Sequence, residues 1–240
     1  MFVIYGLSLL ALIITIGAQI YVNSSYNKYS KINSLGSLTG AEIARKILDN
    51  NGLNNISVEE TSGFLSDHYD PSHKVVRLST NNFHSKSISA ISVASHECGH
   101  AIQDKDNYTF MRIRASLVPF VNISSYAGYF AIVIGCLLGS LNFIWLGILA
   151  EVVILIFQLI TLPVEFDASN RALKLLEEYN LLDSTELKQG KTVLTAAALT
   201  YVASVATAII EILRLILMYG RREDWKCLLI MDNFQVLSQY

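Results

Sequence analysis

His96-Glu97-Cys98-Gly99-His100 has the H-E-x-x-H pattern, which on a helix sets two imidazoles one turn apart on one face with a carboxylate beside them. That is the signature of a zinc hydrolase: neutral imidazole nitrogens hold Zn²⁺, and Glu97 stands where a base can take a proton from water activated by the metal. The surrounding run from Ser87 to Gln103 reads as a helix. Ile88, Ile91, Ala94, Ala101 and Ile102 supply its apolar positions, Ser85 or Ser87 can cap its start, and no proline interrupts it.

Outside this stretch the composition points to a membrane. Hydrophobic residues make up 52% of the 240 and charged residues only 16%, and the apolar residues fall in long blocks rather than a globular mixture. Four blocks are long enough to span a bilayer. Phe2 to Val22 is apolar apart from Ser8, Thr15 and Gln19; with no basic residue before it and no small-residue cleavage site after it, it reads as an uncleaved anchor. Leu117 to Leu138 and Phe143 to Val164 are separated only by Gly139 to Asn142, which predicts a tight hairpin. Val193 to Met218 begins with the small residues Ala196, Ala197 and Ala198, suited to close helix packing.

The expected organisation is therefore an anchor (1–22), a soluble segment carrying the H-E-x-x-H helix (23–116), a transmembrane hairpin (117–164), a second soluble helical segment (165–192), a last span (193–218) and a tail (219–240). A hairpin returns the chain to the face it left, so the two soluble segments share one side and form one small domain, with the tail opposite. Lys28, Lys31, Arg112, Arg114, Arg171, Lys174, Lys188 and Lys191 flank the spans on the domain side, against Arg221, Arg222 and Lys226 after the last span. The positive-inside rule then faces the domain toward the cytoplasm. The three cysteines, Cys98, Cys136 and Cys227, imply no disulfide framework. Cys98, two residues along the helix from either histidine, points away from the face they share and is read as structural.

Within the soluble part, Thr39-Gly40-Ala41-Glu42 resembles a capping box, Ile43, Ile47 and Leu48 follow at helical spacing, and Gly52 marks a helix stop. Ile56 to Thr61, Phe64 to Tyr69 and Lys74 to Ser79 read as short strands, the last two joined by a turn at Asp70-Pro71-Ser72-His73. Such a hairpin offers a strand edge to an extended peptide. The fold class expected is mainly α and integral to the membrane: four transmembrane helices with a small α+β zincin-like metalloprotease domain.

A catalytic zinc keeps three protein ligands and an open position, so the two histidines need a third partner. Leu162-Pro163-Val164-Glu165-Phe166-Asp167-Ala168-Ser169-Asn170-Arg171 reads as a membrane exit followed by a helix, and the hairpin brings Glu165 back toward the metal helix. On the residues alone, Glu165 is as readily an ordinary boundary carboxylate at a helix start as a ligand. His68, His73 and His84 are weaker candidates for a ligand or oxyanion donor, as are Tyr69 and Arg171 for the oxyanion. Of the charges inside spans, Glu211 and Arg214 can pair with each other three residues apart, and Glu151 reads as packed or protonated.

Three elements together, Pro71 after His68-Tyr69-Asp70, the H-E-C-G-H helix and Leu162-Pro163-Val164-Glu165-Phe166-Asp167-Ala168-Ser169, resemble the YugP-like neutral zinc metallopeptidases, small bacterial membrane proteins. The likeness runs over nearly the whole chain. More distantly, Glu165 followed by Ala168 resembles the E-x-x-A-D element of the HtpX and CaaX prenyl protease families, with Ser169 in place of the aspartate. The resemblance implies His96, His100 and Glu165 as zinc ligands and Glu97 as general base. It leaves the orienting carboxylate to be supplied by Asp167 or replaced by a hydroxyl.

The expected activity is peptide-bond hydrolysis by a membrane-bound zinc metalloendopeptidase at the cell membrane, acting on peptide or membrane-protein substrates. The lipid bilayer is its other expected partner, and no nucleic acid is expected. An intramembrane protease fits less well, because the metal helix is too polar to span. The alternative from another class is a catalytically inactive scaffold or binding protein with a structural zinc site, which closed coordination by four protein ligands would favour.

Overall fold

A computed structural model describes residues 2–219, and the expected tail beyond Tyr219, with Arg221, Arg222, Lys226 and Cys227, lies outside the described residues. The chain is mainly helical, with one three-stranded sheet. In chain order the elements are α1 (Phe2–Tyr29), α2 (Gly40–Asn50), β1 (Ser57–Thr61), β2 (His68–Asp70), β3 (Val75–Ser79), α3 (Thr80–His84), α4 (Ile88–Lys105), α5 (Thr109–Leu138), α6 (Leu141–Glu178) and α7 (Ser184–Tyr219). Four of them, α1, α5, α6 and α7, are long and apolar enough to cross a membrane.

Each of these four extends beyond its hydrophobic block. Continuation of α1 to Tyr29 buries Tyr26 and Tyr29. The expected membrane exit at Leu162-Pro163 is not a break: α6 runs unbroken from Leu141 to Glu178 with Pro163 inside it. A proline removes one backbone donor. Past it, the helix is held by the buried side chains of Val164, Ala168, Ala172 and Leu176.

The chain divides into two compact units. One, formed among the described residues by 2–17, 113–160 and 201–219, contains the α5–α6 hairpin, where Gly139 (φ +68°) turns the chain and Ser140 N donates to Gly135 O at 2.9 Å. Its apolar centre gathers Ile132, Cys136, Ile144, Ile148, Leu215 and Met218. Arg214, almost wholly buried, pairs with Glu211 on its own helix, as the spacing anticipates.

The other unit, Ala18–Arg112 with Thr161–Thr200, holds the H-E-x-x-H helix. Helix α2 begins with the capping box read from the sequence: Thr39 N donates to Glu42 Oε2 at 2.7 Å, and Glu42 N donates back to Thr39 Oγ1 at 3.2 Å. It ends in a Schellman motif in which Leu53 N donates to Leu48 O and Gly52 N to Asp49 O, with Gly52 left-handed at φ +67°. Ile43, Ile47 and Leu48 pack with Val76, Leu78, Ile88, Ile91, Ala94, Leu176 and Leu182 in one core.

The sheet has the order β1-β3-β2, with β1 parallel and β2 antiparallel to β3. Central β3 is buried at Val75, Val76, Leu78 and Ser79, as a strand covered on both faces must be. The β2–β3 turn falls at the expected place, tightened by Asp70 Oδ1, which accepts from Ser72 N and His73 N. The strand expected over Phe64 to Tyr69 is shorter, beginning only at His68. The Asp67 carboxylate accepts from Ser79 N at 2.8 Å and so takes the ladder position a longer β2 would fill, while Gly63 (φ +113°) and Leu65 (φ +53°) bend the preceding residues into a loop.

Candidate metal centre

Helix α4 starts at Ser87, whose hydroxyl accepts from Ala90 N. Its serines are compatible with burial because each finds an acceptor: Ser89 Oγ donates to Tyr26 O, Ser92 Oγ to Ile88 O and Ser95 Oγ to Ile91 O. This satisfied helix runs through the core and presents His96 and His100 on one face, their rings edge to face with centroids 4.7 Å apart.

Glu165 comes to that face from α6. Its Oε2 lies 3.3 Å from His96 Nε2 and 3.6 Å from His100 Nε2, and Glu165 is only 3% exposed. The three side chains each offer one ligand atom within 4.8 Å of the others. Two helices meet here because α4 carries Gly99 where Ala168 of α6 passes: a Cβ at Gly99 would stand 2.6 Å from the Ala168 carbonyl oxygen. This close approach of two backbones is a demand on Gly99 that the H-E-x-x-H pattern by itself does not express.

Glu97 is buried beside the pair, and among the described residues no hydrogen bond ties down its carboxylate. Burial pushes its pKa above the ordinary carboxylate value, against the pull of His96 and His100 and with help from the charges of Glu165 and Asp67. Burial alone would lower the pKa of His100, but the hydrogen bond and charge of Glu165 prevail and raise it. A buried carboxylate facing two imidazole nitrogens thus draws positive charge into the site.

These residues fit a zinc ion. Tetrahedral coordination with bonds of roughly 2.0–2.1 Å separates neighbouring ligand atoms by about 3.3 Å, close to the two spacings from Glu165 Oε2. The other ring nitrogens already have partners. His96 Nδ1 lies 3.2 Å from Ser169 Oγ, and His100 Nδ1 lies 2.9 Å from Gln103 Oε1. Asp167 does not touch either histidine directly; its Oδ2 accepts from Gln103 Nε2 at 2.8 Å and from Arg171 Nε at 2.6 Å. In the sequence Gln103 only closes the run that predicts the helix, yet an amide three residues after the second histidine lies on the same helix face.

The weaker candidates are engaged elsewhere. His68 Nδ1 lies against Ser66 O, His73 pairs with Asp70 and His84 with Glu60, all three on the surface. The Tyr69 hydroxyl donates to Asp104 Oδ2 at 2.8 Å, and Arg171 spans Asp167 and Asp106. Cys98 faces away from the imidazoles, with Sγ 3.6 Å from Ala44 O, and burial pushes its thiol pKa up, which disfavours the thiolate a metal would need.

A helix bearing H-E-x-x-H, completed by a glutamate from a second helix, is the arrangement of a zinc-dependent hydrolase. The family described as "Putative neutral zinc metallopeptidase" matches residues 4–220, and the chain belongs to that family. It is 46% identical over 220 residues to the "Putative membrane protease YugP" of Bacillus subtilis (strain 168), an alignment covering 91% of this chain and 98% of that protein. No solved structure matches the chain.

Proposed function

We propose that this protein is a multi-pass membrane zinc metalloendopeptidase whose metal-binding domain faces the cytoplasm, and that peptides or membrane proteins close to the bilayer are its substrates. The observation that carries the reading is the convergence of His96 Nε2 and His100 Nε2 on Glu165 Oε2, at 3.3 and 3.6 Å, with the Glu97 carboxylate buried alongside. His96, His100 and Glu165 hold the ion. Zinc there supplies a Lewis acid that polarises the scissile carbonyl and makes water acidic enough to react near neutral pH.

Glu97 takes the proton that the attacking water loses as its oxygen bonds to the carbonyl carbon. It then delivers that proton to the amide nitrogen as the carbon–nitrogen bond breaks, leaving a carboxylic acid and an amine, between which the remaining proton passes, with no covalent enzyme intermediate. A purely structural zinc site would need a fourth protein ligand, and among the described residues the cluster offers three. The multi-pass arrangement draws support from the four long apolar helices, and the orientation from the basic residues flanking them on the domain side.

The test compares wild type with Glu97→Gln, purified in detergent, for zinc content and for cleavage of a broad peptide library. Glu97→Gln should keep its zinc and lose cleavage by roughly a hundredfold or more. Undiminished turnover would overturn the assignment of Glu97.

A further inference from the structure

Gln103 is wholly buried, and its amide makes three polar contacts. Its Oε1 lies 2.9 Å from His100 Nδ1, while its Nε2 donates to the Val164 carbonyl oxygen and to Asp167 Oδ2, each at 2.8 Å. A backbone carbonyl and a carboxylate paired to an arginine are both acceptors, so the NH₂ group must face them. The amide oxygen is thereby turned to the imidazole, and an oxygen acceptor at Nδ1 calls for the proton on Nδ1. In the neutral imidazole that a metal binds, the lone pair of His100 is then on Nε2, the nitrogen on the Glu165 side.

The arrangement resists reversal. A flipped amide would set its oxygen against two other acceptors in a buried place, and Asp167 is itself held by Arg171, whose second nitrogen bonds Asp106 Oδ2 at 2.6 Å. His96 has no such constraint, since the Ser169 hydroxyl 3.2 Å from its Nδ1 can donate or accept.

We infer that Gln103 is a positioning residue that fixes His100 as the Nδ1–H tautomer with its Nε2 ready for zinc, and that Asp167 and Arg171 lock the amide in that sense. The inference rests on the zinc reading of the preceding subsection. In many zinc sites a carboxylate bonds the ligand histidine directly. Here the carboxylate acts one residue removed, through an amide that also ties α4 to α6.

The experiment measures zinc affinity by chelator competition, the visible absorption of the Co²⁺-loaded protein, and metal-free melting temperature. It uses the full chain as wild type, Gln103→Leu, Gln103→Glu, and Gln103→Glu combined with Asp167→Asn. Gln103→Leu should bind zinc roughly 10- to 100-fold more weakly and shift the Co²⁺ bands. Gln103→Glu sets two carboxylates against each other and should also weaken binding; adding Asp167→Asn restores a donor–acceptor pair and should recover most of the affinity. Loss of melting temperature alone, with wild-type zinc affinity and unshifted Co²⁺ bands in Gln103→Leu, would overturn the inference. If Gln103→Leu does not fold, failure of the double variant to recover affinity over Gln103→Glu overturns it equally. A wild-type protein that takes up no zinc would instead sink the zinc reading, and this inference with it.

Discussion

Gly99 of α4 and the Ala168 carbonyl of α6 are so close that a single methyl group on Gly99 would stand 2.6 Å from that oxygen. The obstacle is backbone, not the flexible end of a side chain, so the helices themselves would have to part. The two histidines lie on one helix and Glu165 on the other, three residues before Ala168, so parting them opens the metal cluster.

Gly99→Ala should therefore lower stability by about 1–3 kcal/mol, the usual cost of overpacking, and weaken zinc binding as well. Melting temperature and zinc affinity of the full chain check this. A variant that binds zinc as wild type does would mean the helix spacing does not set the site.

Cys98 occupies the position between the motif's glutamate and glycine, yet its side chain is buried against α2 and not aimed at the imidazoles. Cys98→Ala should keep full zinc content while losing on the order of 1 kcal/mol of packing. Metal analysis of the purified variant is the check, and a fall in zinc content would place the thiol in the coordination sphere.

Asp104 ties the sheet to the far end of α4, accepting from the Tyr69 hydroxyl at 2.8 Å and the Lys74 ammonium at 2.6 Å. Burial would raise its pKa, but the bonds from Lys74 and Tyr69 outweigh that and hold it below the ordinary carboxylate value. A carboxyl depressed by folding stabilises the fold above its unfolded pKa, near 3.9, and that contribution disappears as pH falls through the folded value. The metal-free protein and Asp104→Asn should thus differ in melting temperature at pH 7 and converge as pH drops below about 4. A gap of constant size across that range would contradict the assignment.

Much of this site was legible from residue types and spacing because the forces involved are local. A capping box, a Schellman glycine and a four-residue histidine repeat each act within two turns of chain, and Thr39, Gly52 and His96/His100 stand as their patterns imply. Glu165 was harder, since its place beside the imidazoles depends on a return of the chain from residues far along the sequence; resemblance supplied what spacing could not. The boundaries that moved did so through tertiary contacts. Asp67 capped β3 in place of a longer strand, and packing of Ala168, Ala172 and Leu176 carried α6 through Pro163 without a break. The Gln103–Asp167 bond was illegible for the same reason, as it joins residues 64 apart.

The central claim, that two imidazoles and one carboxylate hold a zinc ion with a position left open, is tested most directly by zinc K-edge X-ray absorption of the purified protein. The account predicts about one zinc per chain, a first shell of nitrogen and oxygen only at roughly 2.0–2.1 Å, and outer-shell scattering from two imidazole rings. A sulfur ligand near 2.3 Å, or a shell closed by further imidazoles, would contradict it.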